Sequence, residues 1–426
     1  MSNQDETKQN LYDFTLKGGS GIYSLTWSNL NIDINVDRFK ETSDYEVKAE
    51  VGVFSKRVTS YGHLRSTRLN LTSTTARNSF VKSLNARDSD VDWDMVIEQM
   101  CVAVLEEYRS GNPPVVLDGN IDVEANITWV IDPIIQLNNP TLIYGQGSAG
   151  KSWFSQFLAV MADEGISKCG LNVEPSNVLY LDWETDEKEL NSRVTMIRRG
   201  MKMEGGCKVL YKRMAQGLSQ DIEMIRKMCI QNEISLVVID SLGSACMGEP
   251  ESAEVVLRTF SALRSLDVSS LVIDHTNKEG HLFGSVYKFN QARQIFHVKK
   301  SQSEDDNKIV IGLFHQKANN SPLMKPMGFT LTFSDGGVNV ERQDVRDTEL
   351  EVHMNMKDRI QNILRNKQNG MSIADIAVEL DKTETHIRNV ISKSIATYGT
   401  FIKLHNGNYA NRASQVEEGD IPWRVY

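Results

Sequence analysis

Gly145-Gln146-Gly147-Ser148-Ala149-Gly150-Lys151-Ser152 is a complete G-x-x-x-x-G-K-S phosphate-binding loop. Its flanks are those the motif needs. Apolar Leu142, Ile143 and Tyr144 run into the first glycine as a buried strand would, and Phe154, Phe157, Leu158 and Met161 follow at helical spacing. In such a loop the glycines let backbone N–H groups face the β-phosphate, and the helix N-terminus adds its dipole. Lys151 is placed to reach the β- and γ-phosphates and the Ser152 hydroxyl to take a position on Mg²⁺. The expected ligands are ATP and Mg²⁺.

The chain has 426 residues, room for two or three domains, and is 40% hydrophobic and 24% charged, an ordinary globular composition. No apolar run approaches the roughly 20 residues that a membrane helix needs. Met1 to Asn10 is polar and includes acids, unlike a signal peptide. Cys101, Cys169, Cys207, Cys229 and Cys246 are scattered without any C-x-x-C, which argues for a reducing cytoplasm and against a disulfide frame or zinc site. The net charge of −9 does not advertise nucleic-acid binding, but binding depends on where the charge sits.

Four segments follow from the patterning. Residues 1–112 read as a mostly β, α+β domain. Ile22–Trp27, Ile32–Val36, Tyr45–Val51 and Leu64–Leu71 alternate apolar with polar residues, and two helices follow, the second over Asp92–Arg109. Ser110-Gly111-Asn112-Pro113-Pro114 reads as a linker. Residues 116–345 alternate apolar strands with helices, the signature of a mostly parallel α/β sheet, with buried strands at Thr141–Tyr144, Val178–Asp182, Leu236–Asp240, Leu271–Asp274 and Ile309–Phe314. The polar stretch Glu341 to Glu351 marks the next boundary. Residues 355–413 read as helix, helix, turn, helix and hairpin, the order of a winged helix-turn-helix. Ser372 and Asp375 have capping-box spacing there, and Asn406-Gly407 gives the hairpin turn. Residues 414–426 are a tail.

Hydrolysis needs more than a phosphate loop. Ser235-Leu236-Val237-Val238-Ile239-Asp240 has the Walker B form, in which Asp240 would hold Mg²⁺ through water. Val178-Leu179-Tyr180-Leu181-Asp182-Trp183-Glu184 places Glu184 just past the strand that follows the phosphate-loop helix. A carboxylate there can align the attacking water or take its proton. Asp182, Asp186 and Glu187 compete for that role.

As a set, the phosphate loop, the strand ending Asp182-Trp183-Glu184, Ile239-Asp240-Ser241-Leu242 and Val272-Ile273-Asp274-His275-Thr276-Asn277-Lys278 resemble the RepA-like branch of RecA-fold ATPases, related to DnaB-type replicative helicases. The resemblance covers roughly residues 120 to 335. It implies that Glu184 is the catalytic glutamate and that His275 is a γ-phosphate sensor. Gly284-Ser285 followed by Arg293 resembles the segment leading to an arginine finger. Lys317-Ala318-Asn319 resembles the trans-acting Lys-x-Arg motif, with Asn319 where the arginine would stand, so the identity of the finger stays open between Arg293 and Lys317. It also implies a homo-oligomer, expected as a hexamer, because one subunit carries the loop and the next supplies the cation. By the same resemblance the loops Gly243–Ser252 and Asn277–Lys288 would touch single-stranded DNA in a central channel. Lys278 and Lys288 are candidate phosphate contacts there, with an ordinary exposed lysine as the competing reading.

In the C-terminal segment Thr385, Arg388, Asn389 and Lys393 fall on the exposed face of the third helix, where they can reach duplex DNA. Lys357, Arg359, Arg365, Lys367, Lys382, Arg388, Lys393, Lys403 and Arg412 outnumber Asp358, Asp375, Glu379, Asp381 and Glu384, a local excess of positive charge in an acidic chain. Winged helices also dock proteins.

The expectation is an ATP-hydrolysing, oligomeric DNA-binding motor, in its sharpest form a RepA-like helicase of a plasmid, phage or other mobile element. Replication or recombination proteins would be its further partners. The rival is a non-unwinding ATPase switch whose nucleotide state controls assembly on DNA. A small-molecule kinase would need an arginine-rich lid and has no use for a winged helix.

Overall fold

A computed structural model describes residues 11–414, apart from 20, 43, 59–61, 112–115, 117, 118, 120–128, 205, 250, 285 and 303–306. Met1 to Asn10, Asn112 to Pro114 of the expected linker, Ser285 and the tail from 415 onward lie outside the described residues. By contacts the chain divides into two units, one of residues before 127 together with Gln220–Gln231, the other of Ile127–Ser219 and everything from Asn232 on.

In the first unit β1 (Thr15–Gly19), β2 (Ile22–Trp27), β3 (Ile32–Glu41), β4 (Val47–Ser55) and β5 (His63–Asn70) form an antiparallel sheet in sequence order. Strand β4 alternates strictly, burying Val47, Ala49, Val51 and Val53 on one face. Helices α1 (Thr74–Asn85) and α2 (Trp93–Ser110) bury Phe80, Leu84, Trp93, Ile97 and Met100 in the same apolar cluster. Two tryptophans inside it keep their N–H groups bonded, Trp27 to Gln99 at 2.9 Å and Trp93 to the Asp88 carbonyl at 2.7 Å.

The second unit is organised by one nine-stranded sheet. In chain order its elements are β6 (Trp129–Asp132), β7 (Ile135–Gln136), β8 (Pro140–Gly145), α3 (Lys151–Glu164), β9 (Asn172–Val173), β10 (Val178–Asp182), α4 (Glu187–Gly200) and β11 (Leu210–Arg213). Then come α5 (Leu218–Gln231), whose residues from Gln220 on are counted with the first unit, β12 (Leu236–Asp240), α6 (Leu242–Cys246), α7 (Ala253–Arg264), β13 (Ser269–His275), α8 (Val286–Gln291), β14 (Gln294–Gln302), β15 (Lys308–Ala318), β16 (Met327–Ser334) and β17 (Gly337–Gln343). The sheet order is β11-β10-β12-β13-β8-β14-β15-β16-β17, while β6, β7 and β9 make a small separate sheet. From β11 to β14 every pairing is parallel; from β14 to β17 every pairing is antiparallel. Strands β8, β10 and β12 are buried at every residue, as strands covered on both faces must be. Helix α3 buries Phe154, Phe157, Leu158 and Met161 against the sheet, and truncating Phe154 to alanine would cost about 3–5 kcal/mol.

Ile309–Phe314, read from sequence as one of the buried strands, lies within antiparallel β15. Strands β11, β14, β16 and β17 were not anticipated. The boundary stretch Glu341 to Glu351 carries local structure of its own. Glu341 sits in β17, Asp344 caps a short 3₁₀ turn, and Val345 and Leu350 are buried.

The last segment contains α9 (Met356–Ile363), α10 (Ile373–Leu380), α11 (Glu384–Tyr398) and an antiparallel hairpin of β18 (Phe401–Lys403) and β19 (Tyr409–Asn411). Ser372 Oγ accepts from the Asp375 N–H at 3.1 Å and donates to the Asp375 carboxylate at 2.7 Å, while Thr383 caps α11. Ile360, Leu364, Ile376, Leu380, Ile387, Ile391 and Phe401 share one core. Arg365 pairs with Asp347 at 3.1 Å and Asp344 at 3.4 Å.

Candidate nucleotide site

Parallel register assembles the site. Asp182 stands opposite Asp240, Asp274 opposite Tyr144, and His275 opposite Gly145, so the polar ends of β10, β12 and β13 converge on the loop that leaves β8. Ligands of open α/β sheets bind at this edge, beyond the carboxyl ends of the strands. The loop needs its glycines. A Cβ on Gly145 would stand 2.4 Å from the Val298 carbonyl oxygen, and Gly150 has φ of +83° with Ile311 beside it. Gln146, Gly147 and Ser148 form the exposed crest, and Ala149 and Gly150 are buried beneath it.

Lys151 is buried at the start of α3, its Nζ donating to the carbonyl oxygens of Gly145 at 2.9 Å and Gln146 at 2.8 Å. Burial pulls its pKa down, opposed by the carboxylates of Asp240, Glu184 and Asp274. Asp240 is buried and accepts from the Tyr180 hydroxyl at 2.9 Å; Tyr180 in turn lies 3.2 Å from Ser155. Desolvation raises the Asp240 carboxyl, while hydrogen bonds from Tyr180 and Ser152 oppose the shift. Ser152 and Asp240 therefore offer two neighbouring hard oxygens, a set that suits Mg²⁺ shared with phosphate and water. Among the described residues no group of three or more His, Cys, Asp or Glu side chains forms a protein-only metal site. The donor set fits ATP with Mg²⁺, the metal neutralising phosphate charge.

Glu184 is the acid that faces the site. Its Oε1 accepts from Ser241 Oγ at 2.5 Å and lies 3.4 Å from His275 Nε2, and His275 Nδ1 lies 3.5 Å from the Lys151 ammonium. The His275 hydrogen bond above all holds the Glu184 carboxyl down at about 2, with Ser241 and the charges of His275 and Lys151 acting alike and burial opposing. The competitors are committed elsewhere. Asp182 is buried and accepts from the N–H groups of Glu184 and Thr185 at 2.9 and 3.1 Å and from the Thr185 hydroxyl, which fixes the turn that presents Glu184. Asp186 caps α4 through the Glu189 N–H, and Glu187 is exposed on its first turn. Ser241 and Tyr180 were not singled out from sequence, although both stand inside the quoted motifs.

The remaining candidates lie apart. Arg293 is exposed at the start of β14, its N–H donating to the Pro140 carbonyl at 2.9 Å. Pro140 opens β8 and Gly145 closes it, so Arg293 sits about 17 Å along the strand from its own phosphate loop. Lys317 is at the same edge, donating to the carbonyls of Phe289, Asn290 and Ala292 at 2.9, 3.0 and 2.8 Å. Lys278 is exposed beside a cleft of about 500 Å³ bordered by His275, Asn277 and Phe283. Lys288 is a correction. Expected as an exposed phosphate contact, it has 0% exposure and pairs with Asp274 at 2.8 Å, leaving no surface for a DNA strand to meet. The segment Gly243–Ser252, read as a loop, begins inside α6, where Ala245 and Cys246 are buried. Thr385, Arg388, Asn389 and Lys393 are all exposed on α11, with Arg388 3.8 Å from Glu384.

Residues 106–281 match the family model described as an AAA domain, a span that includes the phosphate loop, Glu184, Asp240 and His275 and stops before Arg293 and Lys317. No curated protein matches the chain. Among solved structures, a KaiC-like protein from the hyperthermophilic archaeon Pyrococcus horikoshii OT3 is similar to it. The two are 14% identical, with 50% of this chain and 93% of that one covered and a TM-score of 0.38. Family match, strand order and site geometry agree on a P-loop, nucleotide-hydrolysing ATPase. No described helix is long and apolar enough to cross a membrane.

Proposed function

We propose that this ATPase is an oligomeric, DNA-binding motor, in its sharpest form a RepA-like replicative helicase of a mobile element that works as a hexamer. The observation that carries the reading is the separation of the two halves of the chemistry. Glu184, His275, Asp240 and Lys151 surround the phosphate loop, whereas Arg293 and Lys317 stand at the opposite end of the same strands. Of the two, Arg293 is exposed while the Lys317 ammonium is bonded to three backbone carbonyls, so a cation presented there, Arg293 first, would act on a neighbour's nucleotide and hydrolysis would report on the neighbour's position. Single-stranded DNA would run past Lys278, and the helices and hairpin of residues 355–413, read as a winged helix-turn-helix, would meet duplex DNA through α11.

The exposed polar face of α11 also supports the rival, a non-unwinding ATPase switch that assembles on DNA. A forked-duplex strand-displacement assay with ATP, beside a native mass measured with and without a non-hydrolysable analogue, tests the proposal. The motor displaces a strand and has a multimeric mass. ATP-dependent DNA binding without displacement would select the switch, and a monomer under all conditions would remove both shared-site readings.

A further inference from the structure

We infer that the ion pair between Asp274 and Lys288 is the link that holds Arg293 in fixed relation to His275, which makes Lys288 a positioning residue for hydrolysis at the neighbouring subunit. The inference rests on the shared-site reading above.

Asp274 is 1% exposed and uses both carboxylate oxygens: Oδ1 accepts from the His275 N–H at 2.9 Å and Oδ2 from Lys288 Nζ at 2.8 Å. Lys288 is fully buried on α8. Such a pair gives little net stability, because desolvating two charges consumes most of what their attraction returns. What it does supply is direction, since the ammonium has one place to go. Helix α8 has 6 residues, about 9 Å of rise. One part of it is thus tied to the strand that ends in His275. Its C-terminal carbonyls are held by the Lys317 ammonium, and Arg293 follows immediately, anchored to Pro140. The intervening chain is also drawn back, with the Thr276 N–H on the Gly145 carbonyl at 3.3 Å and the Phe283 N–H on the His275 carbonyl at 3.0 Å. Displacement of His275 by phosphate charge is therefore carried along α8 to the outward cation instead of being lost in a loop.

The test is Lys288→Met in the full chain, read by binding of a fluorescent ATP analogue, by turnover across about pH 6 to 9, and by mixing with Lys151→Ala protein. Affinity should stay within about threefold while turnover falls at least about tenfold. The loss should deepen as pH rises, because Asp274, which faces His275, Lys151 and the Cys246 thiol, ionises without its hydrogen-bonded counter-ion once Lys288 is gone. The Asp274→Asn, Lys288→Met double variant should show the same loss without that added pH dependence, and it carries the test if the single variant does not fold. Excess Lys151→Ala protein, whose own α8 is intact, should restore part of the turnover. Parental turnover in both variants, or loss without rescue by mixing, overturns the link. Parental turnover in Arg293→Ala would instead overturn the shared site itself.

Discussion

His275 and Glu184, 91 positions apart in the chain, meet at 3.4 Å between Nε2 and Oε1. The contact joins the ends of β13 and β10 across β12 and places one imidazole between the acid that faces the phosphate loop and the Lys151 ammonium.

Glu184→Gln should bind ATP as the parent does and hydrolyse it at least about a hundredfold more slowly, the scale of losing a positioned base. Lys151→Ala should lose hydrolysis and most nucleotide affinity. Equilibrium binding and single-turnover hydrolysis separate the two. Parental turnover in Glu184→Gln would remove its role, and Asp182, committed to the turn, could not replace it.

The Glu184 carboxyl is held at about 2, chiefly by the His275 hydrogen bond and then by Ser241. Its folded pKa lies below the ordinary carboxylate value, so its ionised form is favoured above that value and the advantage is lost only as pH falls through about 2. Glu184 should contribute no limb to the parent's kcat/KM profile above about pH 4. Ser241→Ala removes one of the lowering bonds and should move an acid limb up toward the ordinary range. Identical profiles for parent and variant would sink the assignment.

Arg293→Ala should bind nucleotide yet lose hydrolysis, because its side chain is exposed at the strand end away from its own loop, and Lys317→Ala should do the same by releasing the carbonyls of Phe289, Asn290 and Ala292 that hold the segment carrying Arg293. Mixing either with excess Lys151→Ala protein should restore activity, each variant supplying what the other lacks. Absence of rescue together with a monomeric mass would falsify the shared site.

Arg388→Ala should weaken duplex binding by about 1–3 kcal/mol, concentrated on the preferred sequence, if the residue reads a guanine edge. A uniform loss that shrinks with salt would make it a phosphate contact. No loss on any duplex at low salt would point to a protein-docking role for residues 355–413.

The sequence by itself determined the nucleotide chemistry. Phosphate loop, Walker B strand and the β10 terminus are contiguous motifs whose residue types follow from what a phosphate, a hard cation and a water require, and strands covered on both faces read as unbroken apolar runs. The cap at Ser372 was legible for the same local reason. Tertiary structure alone decided the rest. Strands β14, β16 and β17 mix polar with apolar residues, and their partners are set by long-range pairing that no window of sequence contains. Asp182 and Glu184 are two residues apart and chemically alike; only the turn at the end of β10, where Asp182 takes the N–H groups of Glu184 and Thr185, commits the first to structure and presents the second. Lys288 has the composition of a surface residue and became a buried counter-ion because α8 lies over the end of β13. A lysine's sequence neighbours record its charge, whereas its burial depends on what packs across it. That is a property of the assembled sheet.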